Sequence, residues 1–294
     1  MTVYARLRLS LGRIVYISRP RFWVYEAGTF ALGCMLALRP LEYPLFQVTP
    51  LYLLFLFYFL FPANLLIYGV NDIYDYETDR LNPKKVEYEA LVLPQEHRDL
   101  TQWIACTTFP FLLLLAYASP AAIISFSVFL VCAVFYSAEP IRAKVRPVFD
   151  SLFSAGHYVA TGVFGFYLAG GESLNILIVA AALFWSMAMH AYSAVPDIEA
   201  DQQSGISTIA TYLGATPTLL LCLALYVLAA AFSWPQLGVL SIALGVIYAG
   251  LMLVSLKARD EALFEIYKYF PALNFVSGLL IFLYLALIVR NVSS

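Results

Sequence analysis

The chain has 294 residues, of which 62% are apolar and only 12% charged, and its mean hydropathy is +0.79. A soluble domain carries about 25% charged residues, so the composition excludes a water-soluble globular protein and indicates an all-α polytopic membrane protein. The net charge of −2 carries no information about partners, and no nucleic-acid partner is expected.

The first 21 residues hold five arginines and no sustained apolar run, so no cleavable leader is expected and the first span serves as its own insertion signal. Runs of about 17–25 apolar residues qualify as spanning helices. Nine are read, at roughly 22–38, 50–70, 103–118, 120–138, 148–170, 174–195, 216–233, 236–255 and 270–290. Tight hairpin turns are expected at Ser119-Pro120 and Trp234-Pro235, because proline suits a helix start after a reversal. The cysteines Cys34, Cys106, Cys132 and Cys222 lie in apolar runs without paired spacing, which suits small core residues rather than disulfides or metal ligands.

In the first span, Glu26 follows Arg21 by about 7.5 Å of helix. That is near enough for it to snorkel or to pair with Arg19 or Arg21. The other reading is a cavity-facing carboxylate that positions an acceptor or takes a proton. The second span runs into NDIYDYETDRLNPK, which places Asn71, Asp72, Asp75 and Asp79 on one helical stripe, with Glu77 facing away. Tyr68, one turn earlier on the same face, suits either cation–π stabilisation of a developing cation or ordinary interfacial packing.

Asp150 and His157 share a face of the fifth span, and His190 lies seven residues before Asp197, so each histidine is a candidate for cavity lining or proton transfer. A second acidic set, Asp197 and Asp201 in VPDIEADQQSG, ends the sixth span as the first set ends the second, with Gly205 one turn further on. This recurrence four spans apart suggests one domain over 1–294, with helices 1–4 and 5–8 as pseudo-repeats and a ninth helix added.

With nine spans, the N-terminus and the loops at 71–102, 139–147, 196–215 and 256–269 share one side and hold 15 of the 17 Lys and Arg residues. The positive-inside rule then puts the N-terminus and both acidic motifs in the cytoplasm, and the C-terminus on the opposite side.

Carboxylates bunched on a helix face repel one another unless a cation shares them. Oxygen-only donors with no histidine or cysteine favour Mg²⁺, which normally completes its shell with water and substrate phosphates. Five aspartates, two Mg²⁺ and a diphosphate leave about −4 of uncompensated charge. Basic side chains are therefore expected nearby, and Lys84, Lys85, Arg142, Lys144 and Arg146 are placed for it.

The N-D-x-x-D-x-x-x-D pattern at Asn71–Asp79 and D-x-x-x-D at Asp197–Asp201 resemble the UbiA superfamily of membrane prenyltransferases. So do YSAEPIRAKVRP at Tyr136–Pro147 and SRP at Ser18–Pro20. NDIYDYETDRLNPKK, RPVFDSLFSAGHYV and HAYSAVPDIEADQQSGISTIATYLG look more narrowly like the lycopene elongase branch, which adds five-carbon prenyl units to the ends of a linear carotenoid.

The resemblance implies nine helices around a central cavity. It also implies Mg²⁺ held by Asn71, Asp72, Asp75, Asp79, Asp197 and Asp201, four of these aspartates (Asp72, Asp75, Asp197, Asp201) being catalytic. Lys84, Tyr136, Arg142 and Lys144 would contact dimethylallyl diphosphate, with Lys85 not distinguished from Lys84. The implied acceptor is lycopene drawn from membrane lipid. An aromatic or quinone-precursor acceptor is a second possibility. A divalent-cation transporter is a third, though transporters hold ions near the bilayer midplane.

Overall fold

The computed structural model describes residues 9–37, 50–80, 90–258 and 260–292, and among these helix is the only regular secondary structure. The long helices are α1 (Trp23–Ala37), α2 (Pro50–Tyr74), α3 (His97–Leu114), α4 (Pro120–Phe135), α5 (Phe149–Leu168), α6 (Ile176–Ala194), α7 (Ala215–Leu237), α8 (Val239–Lys257) and α9 (Phe270–Val292).

Among the described residues, six helical segments are long and apolar enough to cross a membrane: Pro50–Tyr74, His97–Tyr117, Ile176–Gln203, Ala215–Leu237, Val239–Lys257 and Ala262–Leu287. The expectation of nine spans is thus met on length and composition by six. Of the remaining three helices, α1 and α4 have 15 and 16 residues. Helix α5 has 20 but is diluted by Asp150, Ser151, Ser154, His157 and Thr161, all buried. Large apolar side chains such as Leu113, Ile124 and Val246 cover the outer surface, as lipid contact requires.

Two features of the chain differ from expectation. Helix α2 is interrupted at Phe61 by Pro62, and the side-chain amide of Asn64 donates to the Phe59 and Leu60 carbonyls that the break leaves over. The α7–α8 reversal is not at Trp234-Pro235: helix α7 continues through Pro235 to Leu237, and the turn is made at Gly238, whose φ of 51° suits glycine. At the α3–α4 reversal, Ser119 caps the start of α4 with Pro120 at its first position, as expected. Cys34, Cys106, Cys132 and Cys222 are free; Cys106 is exposed rather than in the core.

Two buried clusters organise the protein. The first is an aromatic knot of Phe30, Phe55, Tyr58, Phe59, Phe126 and Phe164, in which Phe55 and Phe164 ring centres lie 4.8 Å apart. The second gathers Tyr192, Cys222, Tyr226, Tyr248, Met252 and Phe270. Helix α5 joins the two halves, packing on α1, α4 and α6, while α9 returns to α1. The α1–α5 crossing is glycine-mediated: a Cβ on Gly33 would fall 1.9 Å from the Gly162 carbonyl oxygen, and one on Gly165 2.4 Å from that of Phe30.

Between the halves, helices α1 and α5–α9 enclose a cavity of about 400 Å³, lined by Tyr25, Tyr158, Trp185, Tyr226, Tyr248 and Phe282 among others. On α1 its lining runs from Val24 to Leu36, about 18 Å at 1.5 Å per residue.

Candidate active site

Both acidic motifs sit at helix breaks rather than on continuous helices. Helix α2 ends at Tyr74, Asp75 has φ −105° and ψ 4°, and a short helix Tyr76–Asp79 follows. In the second motif a 3₁₀ turn Val195–Asp197 intervenes, Asp197 has φ −98° and ψ 2°, and Ile198–Gln203 follows. The single stripe expected for Asp72, Asp75 and Asp79 is therefore a bend, with the middle aspartate at its corner.

Asp72 and Asp75 are 1% and 3% exposed. Asp79, Asp197 and Asp201 are half-buried, whereas Glu77 and Glu199, the acids that face away, are exposed. Glu77 pairs with Arg80 at 2.9 Å instead. Gly205 has φ 69° with nothing near its Cβ position, so backbone conformation accounts for the glycine.

Buried carboxylates need cations, and three side chains supply them. Arg19 Nη2 lies 2.8 Å from Asp72 Oδ1. Lys144 Nζ pairs with Asp75 Oδ2, and Arg142 Nη2 stands 3.7 Å from Asp75 Oδ1. Arg19 and Arg142 are both held in left-handed backbone, at φ 52° and 44°, each starting a 3₁₀ turn (Pro20–Phe22 and Ala143–Val145). Such a conformation costs a non-glycine residue about 1–3 kcal/mol, and in both places it aims a guanidinium at an aspartate.

Lys144 links the two acidic sets: it contacts Asp75 and lies in the field of both Asp72 and Asp201. Burial pushes its ammonium down to about 8, against the opposing pull of those carboxylates.

Tyr68 does not present a free ring face to a substrate cation on the side where the Arg19 guanidinium stacks, 4.5 Å from the ring centre. Asn71 accepts a hydrogen bond from the Ser137 hydroxyl at 3.0 Å, tying the first motif to the loop after α4. Tyr136 and His190 meet through the phenol oxygen and Nε2 at 3.0 Å, and Nδ1 of His190 lies 3.1 Å from Ser151 Oγ. Asp150 accepts from the backbone N–H of Ile209 at 2.9 Å.

Glu26 contradicts the snorkelling reading. It is 1% exposed, and its Oε1 lies 2.6 Å from Nδ1 of His157. The Thr161 hydroxyl is 2.8 Å from Glu26 Oε2. Asp150 and His157, although on one helix, have different partners. Lys84 and Lys85 lie outside the described residues.

Among the described residues no three acidic, imidazole or thiol side chains form one compact metal cluster. The donor set nonetheless fits a hard cation that takes one or two carboxylates at a time. Its donors are oxygen only, and Asp75 Oδ1 is buried without a hydrogen bond.

A profile of the UbiA prenyltransferase family matches residues 27–264. The chain belongs to the UbiA prenyltransferase family. A lycopene elongase/hydratase of Haloferax volcanii is 39% identical over 92% of this chain and 88% of its own length. Another from Corynebacterium glutamicum is 33% identical, over 74% of this chain and 75% of its own. The UbiA fold is shared with a UbiA homolog from Archaeoglobus fulgidus bound to DMAPP and Mg²⁺. The TM-score is 0.73, at 18% identity over 94% of this chain and 98% of that one.

Within this UbiA chain the contribution of Arg19 was not legible from spacing. Its signal was the SRP segment, whose arginine reaches an aspartate 53 positions away.

Proposed function

We propose that this UbiA prenyltransferase is a lycopene elongase/hydratase that transfers a dimethylallyl group from dimethylallyl diphosphate to the end of a linear carotenoid. One observation carries the reading: Lys144 pairs with Asp75 of the first motif and lies in the field of Asp201 of the second, so one ammonium serves both aspartate sets. The names of relatives that match over most of both chains support the acceptor.

Asp72, Asp75, Asp197 and Asp201, with Asn71 and Asp79, would hold Mg²⁺. Two ions would offset four of the five aspartate charges. When bound, Mg²⁺ neutralises charge that builds on the departing diphosphate. The remaining work falls to side chains. Arg142 and Lys144 sit in a shared loop beside Asp75 and would direct positive charge towards the diphosphate. Tyr136, held by His190, offers its hydroxyl to the same group. Arg19 holds Asp72 in place from the turn that precedes α1.

The allylic C–O bond breaks with its electron pair leaving on the diphosphate. The π electrons of the terminal acceptor double bond then form the new C–C bond, leaving a tertiary cation on the acceptor. The apolar walls at Tyr25, Tyr158 and Trp185 keep bulk water from this cation.

A hydrocarbon acceptor must arrive from the bilayer. Phe275 and Leu279 of α9 line the cavity and are also exposed on the outer surface, so cavity and lipid share a boundary one helix thick. The charge bias of the loops supports a chain of nine spans with both motifs in the cytoplasm, and the matching bends at Asp75 and Asp197 support two four-helix repeats.

Pigment analysis of lycopene-producing cells expressing the chain tests this reading. Carotenoids heavier by one or two prenyl units are expected; unchanged lycopene, with prenylation only of an aromatic acid, would replace the carotenoid acceptor by an aromatic one.

A further inference from the structure

The buried cluster of Glu26, His157 and Thr161 lies outside the metal and diphosphate machinery. Its members are 1%, 5% and 0% exposed. Ionisable groups inside a membrane protein are costly and are retained where they act. Packing does not require this one, because the α1–α5 contact is already fixed by Gly33, Gly162 and Gly165.

The cluster is also in the right place. Glu26 lies in the first turn of α1, seven residues after Arg19, whose guanidinium holds Asp72. His157 stacks on Tyr158 with ring centres 4.2 Å apart, and Tyr158 and Tyr25 are cavity walls.

With Glu26 as carboxylate, His157 Nδ1 is the donor to Oε1 at 2.6 Å, and a neutral imidazole then carries its lone pair on Nε2. Glu26 is itself held by Thr161 at 2.8 Å. A water molecule needs two to four polar partners to be held in an apolar site. His157, stacked on the cavity wall Tyr158, offers its Nε2 as one such partner.

We propose that His157, oriented by Glu26, is the base for hydration of the acceptor cation. The inference rests on the carotenoid prenyltransferase reading given above. Water is the co-reactant. Its oxygen lone pair forms a C–O bond to the tertiary carbon, one O–H bond breaks, and that proton passes to His157 Nε2, leaving a tertiary alcohol. Without the base the cation instead loses a proton from a neighbouring carbon and gives an olefin. His157 is the catalytic residue of this step, while Glu26 and Thr161 are positioning residues.

The test compares products formed from lycopene by the full chain in membranes, with isotopically labelled water to mark the hydroxyl oxygen. In Glu26→Gln the ratio of hydroxylated to olefinic elongated carotenoid is expected to fall at least about tenfold. His157→Gln should fall at least as far, and it decides the matter should the Glu26 variant not accumulate. An unchanged ratio overturns the proposal, and so does loss of both product types from a variant present at normal level. Wild-type protein that elongates lycopene without incorporating labelled oxygen also overturns it, leaving the elongase reading intact. Wild-type protein that does not elongate lycopene removes the reading on which it rests.

Discussion

Arg19 and Asp72 form an ion pair in which the carboxylate is almost fully withdrawn from solvent and the guanidinium also covers the Tyr68 ring. Truncating one partner of such a pair leaves a buried charge. Arg19→Ala is therefore expected to lower stability in detergent by about 3–5 kcal/mol, read by denaturant unfolding, and to abolish diphosphate release. Arg19→Lys should recover only part of each, because an ammonium neither stacks flat nor forks. Lys144→Gln removes the charge shared by the two acidic sets. It should raise KM for the allylic diphosphate about tenfold, the equivalent of one charge-assisted hydrogen bond, and an unchanged KM would remove Lys144 from the diphosphate site. At this scale the aspartates were legible because their spacing is local. The partners of Arg19, Glu26 and His190 were not, since each lies far away in sequence, and the nearby charges of Arg19 and Arg21 as partners for Glu26 gave way to burial beside His157.

Helix periodicity located the long helices, and the caps at Ser119 and Pro120 followed their local chemistry. The bends at Asp75 and Asp197 escaped it. Pro196 signals the second bend, but nothing in NDIYDYETD breaks a helix by propensity; there, burial of Asp72 and Asp75 against Arg19, Arg142 and Lys144 sets the backbone. Helix α7 running past Pro235 shows the opposite failure, a proline accommodated within a helix until Gly238 permits the reversal. The α1–α5 crossing makes an element-level prediction. Gly33→Ala must move two backbones apart and is expected to cost about 1–3 kcal/mol with loss of turnover, as followed by thermal unfolding and product assay. Gly28→Ala on the same helix, where a Cβ meets nothing within 4 Å, should leave the unfolding temperature unchanged.

Across the whole molecule, two buried clusters flank an apolar slot that the sequence implied only through its aromatic content. Six helices satisfy span criteria outright, whereas α5 carries polar residues because it faces the cavity, the site and both halves at once. Gly278 lines the slot with open space at its Cβ position. Gly278→Phe should fill it and reduce lycopene elongation at least about tenfold, with unfolding unchanged; undiminished elongation would place the acceptor elsewhere. The account depends most on the two aspartate motifs serving one diphosphate. Purified protein given Mg²⁺, dimethylallyl diphosphate and lycopene tests that directly, by comparing wild type with Asp72→Asn and Asp197→Asn. Each single substitution is expected to reduce elongated carotenoid and diphosphate release together by at least about a hundredfold. Turnover near the wild-type rate in either variant would contradict it.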